Sequence, residues 1–323
     1  MFLCCTIILK MKILVTGAAG FIGSHACERL KVLGHEVIGL DNFNDYYNVS
    51  LKRLNEKTLS QKNISIINHD LRATDLVDAL PKDINYIFHF AAQPGISPSS
   101  TFQDYFTNNI IGTNTLIDYA LTLTHLKLFV NIGTSSVYGL QATFPETTAP
   151  EPASYYGVTK LTAEQLVLKQ SRHKLFKSCS LRLYSVIGPR ERPEKMYTRL
   201  IASAFNNTAF PLYKGSASHL RSFTYVGDII DGVISVLGNE EKVNGEIINL
   251  GTEVEHTTQE GIEAVETTIG QPIKIKHVQA RVGDQLRTKA NIDKAKRLLG
   301  YCPQTTLLES VKAQVDWYKN QFL

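Results

Sequence analysis

The sequence predicts an α/β fold, a doubly wound parallel sheet with a smaller C-terminal α/β region, and three observations carry that prediction. Apolar runs of strand length recur through the first 185 residues, segments of helical character separate them, and a glycine-rich turn joins the first run to the first such segment. "KILVT", "EVIGL", "ISIIN", "YIFHF", "LKLFVNI" and "CSLRL" each hold four or more apolar or β-favouring residues. Near-continuous apolar runs suit strands covered on both faces, as in a parallel sheet. Helices are expected near residues 20–33, 72–80, 103–123 and 155–171. Repeated βα units of this kind imply right-handed crossovers and a doubly wound sheet.

After about residue 185 the alternation loosens, and short strands ("FPLYKG", "RSFTYV") stand among Pro and Gly. The expected organisation is an N-terminal extension over 1–10 and a large domain over 11–184. Residues 185–323 are expected to form mainly a second, smaller region, with some chain returning to the large domain. The apolar stripe of "LLESVKAQVDWYKNQF" is expected to pack on that smaller region.

Composition narrows the function. The 323 residues are 43% hydrophobic and 20% charged, with a net charge of +4 spread along the chain. No dense Lys/Arg block is present, which argues against nucleic acid. Cys4, Cys5, Cys27, Cys179 and Cys302 are odd in number and lack CxxC or Cys/His ligand spacing. They indicate neither a disulfide framework nor a metal site, and point to a reducing, cytoplasmic setting. "MFLCCTIILK" has no basic n-region or small-x-small cleavage site and is too short to span a membrane. Met11 opens "MKILVTG" where the first strand opens, so residues 1–10 read as a start-site extension or a dispensable arm.

"ILVTGAAGFIGSHACERL" is a strand, a glycine turn and a helix, with Gly17, Gly20 and Gly23 spaced GxxGxxG. Such glycines permit a tight turn, close approach to a pyrophosphate and close helix–strand packing. The phosphates would rest on the helix N-terminus, where free N–H groups favour negative charge. Asp41 stands eighteen residues after Gly23, at the end of "EVIGL". A carboxylate there accepts both adenosine ribose hydroxyls and repels a 2′-phosphate, which favours NAD over NADP. Asp70, closing the third strand in "INHDL", either reaches the adenine or caps the helix that follows.

Among the 14 tyrosines only Tyr156, in "YYGVTK", has a lysine four residues on, so Tyr156 and Lys160 share one helix face. Tyrosine has a free pKa of about 10, and a nearby ammonium together with a nicotinamide cation favours its phenolate. "GTSSVYG" ends the fifth strand in three hydroxyls, Thr134, Ser135 and Ser136, about twenty residues before Tyr156.

Taken with the glycine motif, these features resemble the extended short-chain dehydrogenase/reductases, in the nucleotide-sugar epimerase/dehydratase family. The resemblance runs from Met11 to the C-terminus through "TGAAGFIG", "HFAAQ", "GTSSVYG", "YYGVTK", "LRLYSVIGPRERP", "RSFTYVGDI", "RVGDQ" and "IDKAKRLLGY". It implies a catalytic trio of Thr134, Tyr156 and Lys160. Thr134 and Tyr156 share the hydrogen bond to the sugar C4 oxygen while hydride leaves C4 for NAD⁺, and a 4-keto sugar turns over before hydride returns. Lys160 also bonds the nicotinamide ribose. Cofactor contacts are further implied for Phe21, Ile22, Asn42, Leu71, Phe90, Ala91, Ala92 and Gln93. Arg221 and Arg281 match positions that grip the diphosphate, Asp284 belongs to the same "RVGDQ" stretch, and Tyr213 matches a base-stacking position or a core aromatic. Asp228 matches a family position or caps a helix. A UDP-sugar substrate and a homodimer, joined through the helices near 103–123 and 155–171, are implied as well.

Family members that dehydrate the sugar place acids after the strand-end Thr. Ser135 and Ser136 are neutral there, which favours epimerisation and leaves hydroxyls to bond a polar C6 substituent. "GLDNFNDYYNVSLKR" and "GPRERP" are most similar to the UDP-glucuronate 4-epimerases, with Arg192 and Ser185 matching positions near the sugar carboxylate. Ser97 stands where those enzymes carry an Arg after "AAQ", which keeps UDP-glucose and UDP-N-acetylglucosamine open as substrates. A dehydratase or an NAD-linked reductase of the same fold is the remaining alternative.

Overall fold

A computed structural model describes residues 10–95, 100–280 and 286–323. Seven strands form the main sheet: β1 (Lys12–Thr16), β2 (Glu36–Asp41), β3 (Ser65–Asn68), β4 (Tyr86–His89), β5 (Leu128–Thr134), β6 (Ser178–Leu183) and β7 (Ile247–Leu250). Their order is β3-β2-β1-β4-β5-β6-β7, and every pairing is parallel. The order reverses between β1 and β4, and such a switch point opens a crevice beyond the carboxyl ends of the strands. The six apolar runs become β1–β6. The seventh strand is chain returning from the C-terminal region, and its apolar residues join the main core.

The remaining strands are short. Gln141–Ala142, Leu220–Arg221, His256–Thr257 and Arg287–Thr288 make a mixed four-stranded sheet. Val186–Ile187 pairs with Thr224–Tyr225, and Phe210–Tyr213 with Ile275–Val278. The smaller region has its own core, in which Leu307, Val311 and Val315 of the C-terminal helix (Leu307–Phe322) meet Leu200, Ile201, Ile262 and Val265. The apolar stripe of that helix therefore packs where it was expected to.

Helix α1 (Phe21–Val32) follows the glycine turn directly, and Tyr155–Arg172 is capped by Ser154, whose hydroxyl accepts the Gly157 N–H at 3.1 Å. Three expectations shift. The 72–80 segment keeps only a short helix, Leu76–Ala79, with Asp75 at its N-cap, so Asp70 is not the cap. The 103–123 segment divides into Phe102–Tyr105, a π-helical stretch Phe106–Ile111, and Gly112–Leu121. Within that wide turn Asn109 is buried, receiving the Gln93 N–H at 2.7 Å and donating to Thr159 at 3.0 Å. π-turns of this kind concentrate at functional sites. A further helix, α2 (Val49–Gln61), occupies "VSLKRLNEKTLSQ" and buries Lys52 and Asn55 beside Leu59. Its inward face is largely polar, so apolar periodicity does not reveal it.

Candidate active site

The carboxyl ends of β1, β2, β4 and β5 open into one cleft of about 570 Å³ that continues over the smaller region. At its cofactor end the backbone sets the shape. Gly17 has φ of +69°, and a Cβ on Gly23 would stand 2.2 Å from the Gly17 carbonyl oxygen, so α1 meets the turn after β1 in a contact no side chain permits. Gly20 is the N-cap of α1 and no side chain caps that end, which leaves first-turn N–H groups turned to the cleft. Asp41 is buried at the end of β2. Its carboxylate accepts the N–H groups of Ala19 (3.1 Å) and Phe43 (2.8 Å), with Lys52 Nζ 3.9 Å away.

Asn42 donates to Asp70 at 3.0 Å, and Arg72 forks onto the same carboxylate at 2.9 and 2.7 Å. Hydrogen bonds from Arg72 hold the Asp70 carboxyl far below the usual carboxylate range. Phe21, Ile22, Leu71, Phe90, Ala91 and Ala92 line the same end. Gln93 does not line the cleft: its main chain pairs with Asn109 and its side chain donates to Ser100. A backbone cradle at a helix N-terminus, beside a fixed carboxylate, fits a dinucleotide.

At the chemical end β5 finishes at Thr134, and Ser135–Tyr138 form a 3₁₀ turn in which the Thr134 hydroxyl accepts the Ser136 N–H at 3.2 Å. A Cβ on Gly157 would lie 2.7 Å from the Ser136 carbonyl oxygen, so the glycine of "YYGVTK" lets the Tyr155–Arg172 helix dock on this turn. Tyr156 is thereby brought close enough to Thr134 and to the backbone of Gly95 for both to act on its hydroxyl. Burial raises the Tyr156 hydroxyl above its ordinary value, while the Thr134 bond and the charge of Arg192 act the other way. Arg192 is thus a source of positive charge at the phenol that the pairing with Lys160 does not reveal. Burial brings Lys160 down to about 8, opposed by Glu164 one turn on.

Glu164 is itself locked in a buried fork with Arg182, at 2.6 and 3.0 Å. Behind the site, His89 bridges Thr16 (2.8 Å) and Thr113 (2.9 Å). Burial depresses its pKa to about 3, so it holds β1, β4 and the Gly112–Leu121 helix together as a neutral ring.

The opposite wall of the cleft is built from side chains. Ser185, Arg192, Tyr213 and Arg221 line the cleft with Ser135 and Ser136. Asp228 does not: it lies in the first turn of Val226–Ile234 and accepts the Thr305 N–H and hydroxyl, both at 2.9 Å, tying that turn to the approach of the C-terminal helix. Ser97, Arg281 and Asp284 lie outside the described residues, as do Cys4 and Cys5. Reasoning from sequence missed Asn109, His89, Tyr105, Glu191 and Lys195. The last two stand beside Arg192 in "GPRERPEK", where a run of charges in a loop was the available signal. Among the described residues, no group of three or more His, Cys, Asp or Glu side chains is arranged to hold a metal, and no helix is long and apolar enough to cross a membrane.

The profile of the NAD dependent epimerase/dehydratase family matches residues 13–251, a span that includes the glycine turn, Asp41, Thr134, Tyr156 and Lys160. The chain belongs to this family. NAD is its cofactor, and the shape of the Gly17–Gly23 cradle beside Asp41 fits it. The chain is 37% identical over 319 residues to YtcB of Bacillus subtilis (strain 168), named an uncharacterized UDP-glucose epimerase, covering 97% of this chain and 99% of the relative. It is 32% identical over 335 residues to UDP-glucuronate 4-epimerase 4 of Arabidopsis thaliana, covering 96% and 76%. The crystal structure of UDP-glucuronic acid 4-epimerase from Bacillus cereus with UDP-glucuronic acid and NAD superposes with a TM-score of 0.91. It shares 35% identity and covers 97% of this chain and 100% of that one. The protein is accordingly an NAD-dependent enzyme of nucleotide-sugar epimerase/dehydratase type.

Proposed function

We propose that this family member is a UDP-sugar 4-epimerase that interconverts UDP-glucuronate and UDP-galacturonate. The observation that carries the reading is the turn at 134–136, which sets three hydroxyls and no acid against Tyr156. Dehydration needs a general acid and base at that wall, and Ser135 and Ser136 are neither. Bound NAD supplies the hydride acceptor, and afterwards the donor, at C4 of the sugar.

The chain's own residues do the rest. Tyr156 takes the C4 hydroxyl proton on its phenolic oxygen, Thr134 orients that hydroxyl, and the buried Lys160 ammonium favours the phenolate. The resulting 4-keto sugar turns its other face to the cofactor, and the same proton returns from Tyr156. Arg192, close enough for its charge to act on Tyr156, suits a carboxylate on the neighbouring ring carbon. Arg221 and Tyr213 line the cleft where a diphosphate and a base would lie. The UDP-glucuronic acid bound to the Bacillus cereus enzyme supports the uronate. The name of the Bacillus subtilis relative favours UDP-glucose as the second reading.

The experiment is parallel incubation with UDP-glucuronate, UDP-glucose and UDP-N-acetylglucosamine at catalytic NAD, with the 4-epimer read by NMR. A 4-epimer of UDP-glucuronate is expected, whereas stoichiometric NADH would identify a net oxidation instead. A cytoplasmic homodimer completes the proposal. Phe102, Ile111, Tyr155 and Val158 are exposed apolar residues on the two helical segments, and the rings of Phe102 and Tyr155 lie 5.3 Å apart. That patch suits burial against a second copy.

A further inference from the structure

Asp70 is the acid that the sequence offers to the adenine, and its carboxylate is already full. Oδ1 accepts the Arg72 main-chain N–H at 2.8 Å and Arg72 Nε at 2.9 Å. Oδ2 accepts Arg72 Nη2 at 2.7 Å and Asn42 Nδ2 at 3.0 Å. A carboxylate offers about four lone-pair sites, and these four bonds take them. The same bonds keep the group ionised, so it has no proton to give to a ring nitrogen. An adenine amino group arriving at Asp70 would have to displace a charge-assisted bond and replace it with a weaker, neutral one.

Strand register indicates which side chains meet the base. Asp41 pairs with Asn68 across β2 and β3, and the His69 N–H bonds the Asp41 carbonyl at 3.2 Å. A ribose held at Asp41 therefore carries its base towards the end of β3, where His69, Asp70, Leu71 and Arg72 line the cleft. His69 turns its ring to Asp75, with Nε2 3.0 Å from Oδ1. Leu71 is apolar and buried. The stem of Arg72 runs beside the Gly112–Leu121 helix, where a Cβ on Gly112 would lie 3.9 Å from Arg72 Cγ, and the fork on Asp70 fixes its head. That fork uses the edge of the guanidinium, while the side chain as a whole is 41% exposed. A flat, delocalised cation held by its edge offers its faces to a π-system.

We infer that Arg72, rather than Asp70, is the residue that receives the adenine of the cofactor: Asp70 locks the guanidinium in place, and the purine stacks on the plane of that cation. Stacking of this kind is indifferent to the exocyclic group of the purine, whereas a hydrogen bond from the amino group to Asp70 depends on it. Nothing in this assignment depends on which sugar the enzyme takes.

The test is displacement of NADH from the full chain, followed by NADH fluorescence, with NAD and its hypoxanthine analogue deamino-NAD as competitors. Wild type is compared with Asp70→Asn, Arg72→Met and Arg72→Lys. Neither side chain is buried, so the variants are expected to keep the fold. Asp70→Asn should leave the ratio of the two affinities at its wild-type value. Arg72→Met should weaken deamino-NAD about fivefold, the scale of one partly exposed cation–π contact, and Arg72→Lys should not restore it, because an ammonium has no plane to stack on. In Arg72→Met the Asp70 carboxylate also regains lone pairs, so NAD should weaken less than deamino-NAD. A wild-type preference for NAD that Asp70→Asn abolishes would return the adenine to Asp70 and overturn the inference. Unchanged affinities in Arg72→Met would overturn it too, as would full recovery in Arg72→Lys, which would leave Arg72 a role of charge alone.

Discussion

The two ends of the cleft are built from different materials. The cofactor end is made of backbone and short residues: the Gly17–Gly23 contact, the open first turn of α1, Ala91 and Ala92, and one carboxylate held by two main-chain N–H groups. The proposed sugar end is made of long side chains, Arg192 and Lys195 from a loop and Tyr213 and Arg221 from the ends of short strands, steadied from behind by Glu191 and Gln314. A backbone-built site has no slack, so one added carbon disturbs it. A site built from side chains keeps its shape when one is exchanged and changes only what it prefers. The same frame thus holds one cofactor rigidly while its substrate end is open to retuning.

Tyr156→Phe should have the largest effect, because Tyr156 stands where the two ends meet. It removes the acid–base group, and turnover should fall about 10²–10⁴-fold with cofactor binding retained. Turnover surviving in a progress-curve assay would refute Tyr156 as the proton carrier. Gly23→Ala comes next and should act on the cofactor end alone. The methyl would meet the Gly17 oxygen at 2.2 Å and force the turn apart. Overpacking of this kind costs about 1–3 kcal/mol, so NAD affinity should drop roughly tenfold to a hundredfold in a fluorescence titration. Wild-type affinity would show that the cradle is not what holds the cofactor. Arg192→Met is the matching change at the sugar end. KM for UDP-glucuronate should rise about tenfold while NAD affinity stays within error, the split expected for a partly exposed ion pair. Coupled loss of both would mean that the two ends are not separable.

The same contrast explains what the sequence made legible. Backbone-built features leave local marks: GxxGxxG must lie between a strand and a helix, Asp41 must end the second strand, and Tyr-x-x-x-Lys must share a helix face. Each is a short-range geometric requirement, and all of them are found in place. The sugar end depends on contacts far apart in the chain. Arg192 stands beside Gly95, nearly a hundred positions earlier, and Glu191 accepts from Gln314, more than a hundred later. No periodicity encodes such pairs. α2 was illegible for a related reason, since it buries Lys52 and Asn55, whose partners Asn44 and Ala19 lie in loops. The π-turn at 106–111 also has no propensity signature, because it exists to bring Asn109 against Gln93 and Thr159.

The last test concerns the anchor behind the sugar end, and it is read in stability rather than in binding or turnover. Burial raises the Glu191 carboxyl from its ordinary 4.5 to about 7, against the opposing hydrogen bonds from Gln314 and Thr198 and the charge of Lys195. Between those two values the folded state holds a proton that the unfolded chain has released. The contribution of Glu191 to stability is therefore fully present below about 4.5 and is lost as pH rises through about 7. His25 titrates in the opposite sense: burial lowers it from 6.5 to about 4, so its contribution is present above 6.5 and lost as pH falls. Comparing variants rather than single curves separates the two. Glu191→Gln keeps an acceptor for Thr198 and removes the titration. Thermal or urea unfolding of the two proteins from pH 4.5 to 8 should show the variant gaining on the wild type by up to about 2–3 kcal/mol as pH rises. The loop bearing Arg192 and Lys195 is thus held at a cost that increases with pH. Parallel curves across that range would show that Glu191 is already ionised in the folded protein.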